Sequence, residues 1–423
     1  MLKEVLSVVV VVAAMAAIAA GRVPGLRMNR AAIAFAAAAI LVAVGAIPLA
    51  GAFEAIDLGT IVLLLSMMLI VAAVRLSGLF DVVAARLAGL AGYPRAFLGA
   101  VVAVAGALSA LFMNDTMCLV LAPVVAETSL RSGRNPTPYL AATAIASNVG
   151  SAATVIGNPQ NMLIGARSGI PFSEFAYRLA PPAIAGLAVC WLVVQLAFPG
   201  EFGRRRRPSP AAADEAAMRA TSSGPLGAVR LDKKLAVKCA VASAAMLIGF
   251  LAGVPVALAA MVPAALLLSS TRFESEKLLS GVDFNLLVFF GGLFVITDAA
   301  AGTAAFAWLE RTALTGAAAS PWLFASATAA VSNVVSNVPA VMMLSSIASA
   351  AADPRSAWLL LAMASTFAGN LTLLGSVANL IVAEGAAGRG ARLGFVDYLK
   401  AGLPVTLITL AIGTAWLAMT AGR

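Results

Sequence analysis

Residues Ser147 to Gly165 read SNVGSAATVIGNPQNMLIG. Apolar segments flank this stretch, in a chain that is 61% hydrophobic and only 11% charged. A helix crossing hydrocarbon gains nothing from Gly150, Gly157 and Pro159, which weaken or break it. Nor does it gain from Ser147, Asn148, Ser151, Thr154, Asn158, Gln160 and Asn161, whose polar groups must find partners where water is scarce. The pattern predicts an interrupted membrane helix. Interruption frees carbonyls that can coordinate cations, and half-helix N-termini that favour anions or polar oxygens.

Composition agrees with a membrane setting. Mean hydropathy is +0.98, and soluble domains carry about 25% charged residues. Apolar runs of roughly 18 or more residues recur along the chain, each long enough to cross about 30 Å of hydrocarbon. They predict an all-α polytopic membrane protein with about 10–12 membrane spans. The net charge of +9 does not point to nucleic acid, because the Arg and Lys residues sit in short loops between apolar runs, the positive-inside pattern. Cys118, Cys190 and Cys239 are far apart in apolar contexts and read as packing residues. The chain has no histidine, which excludes His-based proton relays and argues against a transition-metal site. Nothing resembles GxSxG, HExxH or a P-loop, so an enzyme is not expected.

The first residues, MLKEVLSVVVVVAAMAAIAAGR, mimic a signal peptide. The apolar run exceeds a usual signal core, and Arg22, Arg27 and Arg30 follow at once. An uncleaved first helix with its N-terminus outside is expected. Residues 201–234 contain RRRRPSP and read as a flexible basic cytoplasmic linker. The tetra-arginine run Arg204–Arg207 is a topology signal and a weaker candidate for anionic lipid headgroups. With this linker inside, Arg22, Arg27, Arg30, Arg75, Arg86, Arg95, Arg131 and Arg134 also fall inside only if residues 96–128 enter and leave on the same side. That segment is therefore expected to be a re-entrant hairpin, with its tip at 113–116.

The chain repeats this design. STFAGNLTLLGSVANLIV, from Ser365, aligns with the opening stretch without a gap when Ser147 is set on Ser365. Thr154 then meets Thr372, Gly157 meets Gly375, Asn158 meets Ser376 and Asn161 meets Asn379. Upstream, MNDTMCLVLAP is paralleled by SNVPAVMMLSS, with Asn114 opposite Asn337, and DLGTIVLLLS from Asp57 by DFNLLVFFGG from Asp283. The first copy begins with an out-to-in helix and the second, from Leu235, with an in-to-out helix. Two inverted repeats are expected, 1–200 and 235–423, joined by the linker. The hairpin tips fall near 113–116 and 336–339, and the broken helices at 138–166 and 356–382. Inverted repeats with matching interrupted helices mark secondary transporters and place the site near the midplane.

Asp115 is the sharpest single residue. It sits at the expected hairpin tip between two apolar runs, where a charge costs about 2.5–3.5 kcal/mol on insertion scales. It is the candidate proton acceptor, with Asn114 and Thr116 beside it. Alternatively, Asn114, Asp115 and Gly150 hold a sodium ion. A capping role for Asp115 is compatible with either. The equivalent position in the second repeat is Val338, so coupling is expected to be asymmetric. The candidate substrate and ion ligands are Ser147, Asn148, Ser151, Thr154, Asn158, Asn161, Ser336, Asn337, Asn370, Thr372, Ser376 and Asn379; small-residue helix packing with polar glue is the plain alternative. Asp298 pairs with Arg75 or lies near the interface. Glu384 is expected near the cytoplasmic interface, and Arg75 and Asp81 as interface anchors.

At SALFMNDTMCLVLAPVV, SNVGSAATVIGNPQNMLIG, SNVVSNVPAVMML and AGNLTLLGSVANLIVAE the chain resembles the ion transporter superfamily. This group holds the arsenite efflux permeases, the citrate and divalent-anion transporters and the plant silicon efflux transporters. The wording of the broken helices is closest to the silicon effluxers and to bacterial anion permeases. The resemblance implies a scaffold and a moving transport part, elevator-type alternating access and a homodimer. In the sodium–carboxylate branch, Ser-Asn-Thr at both tips holds sodium and substrate. Here the tips read Asn114–Asp115–Thr116 and Ser336–Asn337–Val338, so the first has Asp and the second lacks Thr. An Asp at the tip is similar to the arsenite and silicon branch, which implies proton-coupled export of a small neutral acid, As(OH)3 or Si(OH)4. The implied location is a bacterial-type inner membrane. No cofactor is implied beyond a proton or sodium gradient, and the partners are a small weak-acid or anionic solute and the bilayer. Sodium- or proton-coupled uptake of a carboxylate or inorganic anion is the alternative. A channel, or a membrane component of a larger assembly, are further options.

Overall fold

The computed structural model describes residues 2–21, 25–202, 231–270, 274–309 and 320–421. Arg22, Arg204–Arg207 and most of the expected linker lie outside the described residues. Helices make up the described structure, which contains no strand. Seven of the helices are long and apolar enough to cross a membrane.

The first half runs α1 Leu2–Ala20, α2 Arg30–Ala43, α3 Leu49–Ala55, α4 Leu58–Leu76, α5 Leu79–Ala88, α6 Pro94–Leu111, α7 Asn114–Arg131, α8 Pro136–Ser151, α9 Pro159–Ser168, α10 Phe172–Ala197 and α11 Pro199–Phe202. The second runs α12 Lys233–Leu251, α13 Val256–Leu268, α14 Ser275–Leu279, α15 Phe284–Ala301, α16 Ala304–Leu309, α17 Pro321–Val335, α18 Asn337–Ala350, α19 Pro354–Ala368, α20 Val377–Ala387 and α21 Phe395–Thr420.

The same start signals recur in the same order. Asp57 and Asp283 cap α4 and α15 by accepting from the amides of Thr60 (2.9 Å) and Leu286 (3.2 Å). Prolines open α6, α8 and α9, as they do α17 and α19. There the missing N–H costs nothing, because the first-turn amides have no intrahelical partner. Helices α10 and α21 are both 26 residues long.

Helices α6 and α7 meet at a turn, and so do α17 and α18. The first pair turns at Phe112 and Met113, so Asn114, Asp115 and Thr116 belong to the first turn of α7 rather than to an open tip. The second turns on Ser336, whose φ of 80° makes it the one non-glycine residue with positive φ among the described residues. Non-helical residues 152–158 separate α8 from α9, and 369–376 separate α19 from α20. The apolar stretch from Arg30 to Ala55 divides into α2 and the short α3, because Gly45 adopts φ 70° and Pro48 follows.

Helices α6 and α8 touch backbone to backbone. A Cβ on Gly150 would lie 2.2 Å from the Gly106 carbonyl oxygen. This contact places the first hairpin against the first interruption. Basic residues gather at one end of the bundle. Arg134 donates to the carbonyls of Ala91 (2.6 Å) and Gly92 (2.8 Å), and it pairs with Glu201 at 3.3 Å. Arg95 donates to Phe202 O (3.2 Å), and the Asp232 amide donates to Ser77 O (3.1 Å). Glu127 bridges Arg131 and Arg389 at the same end. Phe202 and Asp232, both within the expected linker 201–234, are thus each anchored to the bundle, by Arg95 and by Ser77. Glu4 lies at the opposite end, accepting from the Ala304 amide (3.1 Å). Helix α1 packs on α2 and α15. The three cysteines are buried and free.

Candidate substrate and ion site

The two interruptions meet in a buried polar junction centred on Asn148, near the end of α8. Asn148 Nδ2 donates to Asn370 Oδ1 (2.9 Å) and to Asn379 Oδ1 (3.0 Å). Its Oδ1 accepts from Asn114 Nδ2 (3.0 Å) and from Ser376 Oγ (3.2 Å). One side chain therefore ties the first hairpin to the second interruption and to α20. All five residues are buried. Buried amides of this kind are secure only when paired. Asn114 Oδ1 and Asn370 Nδ2 are buried here without a hydrogen-bond partner among the described residues.

Each interruption is held shut by an asparagine. Asn161 Nδ2 donates to Ser151 O (3.2 Å) and Thr154 O (3.0 Å). Asn379 Nδ2 donates to Gly369 O (2.8 Å) and Thr372 O (3.1 Å). These amides satisfy carbonyls that the broken helices leave over. Asn158 caps α9 by accepting from the Asn161 amide (2.9 Å). It also donates to Ser151 Oγ (2.9 Å) and to Thr366 Oγ1 (3.2 Å). Around the hairpins, the Ser147 and Ser109 hydroxyls are 2.9 Å apart. Ser332 Oγ donates to Asn337 Oδ1 (2.7 Å). Thr154 Oγ1 donates to Ala110 O (2.6 Å), so that hydroxyl is committed to α6.

Ser147, Asn148, Ser151, Asn158, Asn161, Asn114, Asn370, Ser376 and Asn379 thus lie in or directly around one junction. Thr154 and Thr372 contribute carbonyls at its edges. Ser336 and Asn337 sit at the second hairpin turn, where Asn337 Nδ2 would be 3.1 Å from a Cβ on Gly369.

Asp115 and Thr116 do not join the junction. They line a separate cavity of about 430 Å³ with Arg75, Lys277, Ser280 and Asp283. Successive residues of the first turn of α7 face in different directions, so Asn114 turns to the amides while Asp115 turns to the gap between α7 and α4. The expected sodium set of Asn114, Asp115 and Gly150 is accordingly not assembled. Gly150 is pressed on Gly106, and its carbonyl accepts from the Ala153 amide (3.1 Å). Among the described residues no group of three or more His, Cys, Asp or Glu comes together.

Asp298 faces Arg167 rather than Arg75. The two line a second cavity of about 360 Å³. Arg167, in the last turn of α9, pairs with Asp57 at 3.7 Å and stands 5.1 Å from the Phe294 ring centroid. Arg75 is a cavity residue as well as an end-of-helix cation. Glu384 is exposed on α20. Sequence reasoning missed Thr366, Gln160, Ser109, Ser332 and Asn333 as members of the polar lining. Thr366 had a signal, since it stands in the second copy where Asn148 stands in the first. Arg167, Lys277 and Asp283 had none, because only the packing of distant helices brings them to the cavities.

The family model described as citrate transporter matches residues 11–368. The chain belongs to the citrate transporter family. Membership bears out the resemblance to the ion transporter superfamily and makes the chain a multi-pass membrane transporter of the citrate, arsenite and silicon permease type. A 46 kDa membrane protein of Mycobacterium leprae is 32% identical, over 92% of this chain and 94% of its own length. The silicon efflux transporter LSI3 of rice, Oryza sativa subsp. japonica, is 30% identical, over 92% of this chain and 93% of its own. A crystal structure of the YdaH transporter of Alcanivorax borkumensis, which has an unusual topology, covers 99% of this chain and 98% of its own at 18% identity and a TM-score of 0.49. In this family member the polar junction is built from amides and hydroxyls, and neither cavity is lined by its side chains.

Proposed function

We propose that this family member exports a small undissociated weak acid, silicic acid or arsenite, in exchange for protons. The observation that carries this reading is the neutral junction around Asn148. It offers a buried acceptor at Asn114 Oδ1 and a buried donor at Asn370 Nδ2, with no Arg or Lys among its hydrogen-bonding side chains. A neutral hydroxylated acid both gives and takes hydrogen bonds and suits such a pair. A dianion is better served by guanidinium or ammonium groups. The name of the rice relative, a silicon efflux transporter, supports the same solute class.

Asp115 is the coupling residue in this reading, with Asn114 and Thr116 beside it. It stands at the face where α7 opposes α4 and the start of α15, and a proton there would change the charge across that gap. The hairpins and broken helices form the part that moves, by an elevator-type step against a frame of α4 and α15. Two observations support an inverted relation between residues 1–200 and 235–423. Arg75, at the end of α4, and Asp283, at the start of α15, line one cavity; Ala55, just before α4, and Ala301, at the end of α15, line the other. That placement supports paired elements running in opposite directions. The protein acts as a homodimer in a bacterial-type inner membrane, with the linker 201–234 cytoplasmic. The gathering of Arg95, Arg131 and Arg134 at the linker end supports that orientation.

The description of the matching family model favours a second reading, sodium- or proton-coupled uptake of citrate or another anion. Everted vesicles separate the two. Arsenite or germanic acid uptake driven by a proton gradient, and lost in Asp115→Asn, is the expected result. Citrate, succinate or sulfate movement driven by sodium and surviving Asp115→Asn would replace weak-acid export with anion symport.

A further inference from the structure

The cavity between α9, α15 and α18 is not part of the junction described above. It lies by the C-terminal ends of α9 and α15, where Arg167 and Asp298 stand, whereas Asp283 at the start of α15 lines the other cavity. Arg167, Thr297, Asp298, Ser345, Ser346 and Ser349 are its polar wall. Its volume of about 360 Å³ is ample for a solute of a few heavy atoms.

The chemistry of this wall leans towards acceptors, since of its four hydroxyls only that of Ser346 has no backbone carbonyl among the described residues taking its hydrogen. The Thr297 hydroxyl spends its hydrogen on Leu293 O (2.9 Å). Ser345 spends its own on Met342 O (2.7 Å), and Ser349 on Ser345 O (3.0 Å). A hydroxyl that has given its hydrogen to the backbone keeps lone pairs only. Together with the Asp298 carboxylate, these oxygens make an acceptor-rich surface. Arg167 is the one cationic donor among the lining residues, and it already pairs with Asp57. One guanidinium against the two carboxylates of Asp57 and Asp298 leaves an excess negative charge. A carboxylate or other anion brings only acceptors and more negative charge to such a wall, whereas a neutral solute carrying several O–H donors matches it.

We propose that this cavity is a second binding subsite for a neutral polyhydroxylated acid, with Asp298 as its principal acceptor, at the face of the protein away from the linker. The subsite rests on the weak-acid reading for its place in transport, but its ligand class follows from the wall itself. It offers the solute a station between the central junction and that face.

Labelling tests it apart from transport. The three native cysteines are buried, and Ser346 is exposed to the cavity. In Ser346→Cys protein, purified as the full chain, a maleimide should react at the introduced thiol. Germanic acid should slow that reaction several-fold, and citrate and succinate should not. Adding Asp298→Asn should remove the protection while leaving the unprotected labelling rate within about twofold, which reports an intact fold. No protection by germanic acid, equal protection by citrate, or protection that survives Asp298→Asn would overturn the subsite. Protection without proton-driven uptake of germanic acid or arsenite would leave the subsite standing and remove the export reading.

Discussion

Asn148 Nδ2 donates to Asn370 Oδ1 at 2.9 Å, so a single amide fastens the first interrupted helix to the second. Two further bonds cross between the halves in equivalent positions. Asn158 donates to Thr366 at 3.2 Å, and Ser376 donates to Asn148 at 3.2 Å. The alignment that sets Ser147 on Ser365 also sets Asn148 on Thr366 and Asn158 on Ser376. The two interruptions therefore interlock by the same device used twice.

Asn148→Ala should cost more than an ordinary lost hydrogen bond. It strands Asn114 Nδ2, Asn370 Oδ1, Asn379 Oδ1 and Ser376 Oγ in a buried setting, and each unsatisfied buried group costs about 1–3 kcal/mol. A fall in the detergent melting temperature and loss of transport are expected together. Asn148→Asp keeps the two acceptor bonds, loses the two donor bonds and adds a buried charge, so it should be at least as damaging. A variant that melts like the wild type would refute the hub.

Asn161→Ala and Asn379→Ala should behave alike. Each removes an amide that closes two carbonyls of an interruption. A cost of about 1–3 kcal/mol is expected for each, from the carbonyls left unpaired. Asn379→Ala should be the worse of the two, because it also takes an acceptor from Asn148. Equilibrium unfolding in detergent measures both, and a neutral Asn161→Ala would show that the clamp is ornamental.

Glycine substitutions should separate the interruptions. A Cβ at Gly157 would lie 2.1 Å from Ser151 O, whereas one at Gly375 would lie 2.9 Å from Gly369 O. Both clashes are with backbone, which yields little. Gly375→Ala should cost about 1–3 kcal/mol, in the range of ordinary overpacking, and Gly157→Ala should exceed it. The reverse order, read from yield and melting temperature, would contradict the packing described.

Asp57 serves two partners and Arg167 is one of them. Asp57 accepts from the Thr60 amide at 2.9 Å and pairs with Arg167 at 3.7 Å. The ion pair is partly exposed and contributes about 0–1 kcal/mol. The helix cap contributes about 1 kcal/mol. Asp57→Ala should therefore destabilise more than Arg167→Ala, with a coupling in the double variant below about 1 kcal/mol. Equal effects of the two single variants would mean that the cap is idle.

Asp353, at the exposed start of α19, supplies a dependence on pH. The Ser356 hydroxyl and amide hold its carboxyl below the usual carboxylate range. A depressed folded value adds stability above the unfolded value of about 3.9. That stability is lost as the pH falls through the folded value. Asp353→Asn keeps a capping oxygen and cannot titrate. Below about pH 4 the wild type should lose stability relative to Asp353→Asn, and parallel melting curves from pH 6 to pH 3 would count against it.

The helical membrane architecture was legible in the chain itself, and helix ends fall at the expected breaks. Gly157 with Pro159, Gly375, the capping aspartates Asp57 and Asp283 and the prolines opening α8 and α19 act locally, and local signals survive without knowledge of neighbours. The matching of Asn161 with Asn379 was legible as alignment, and their shared work on carbonyls follows from being placed alike after a break. What the sequence left undetermined was direction. Asn114, Asp115 and Thr116 are consecutive, yet one faces the amide junction and two face a cavity, because a helical turn spreads neighbours around its axis. Arg167 pairs with Asp57 and shares a cavity with Asp298, and Arg75 shares one with Asp115, Lys277 and Asp283, only through the packing of helices distant in the chain. The chain by itself determined where helices start, break and repeat. Only the tertiary structure decided which polar groups share a space, since that depends on helix rotation and on contacts between the halves, which no local spacing records.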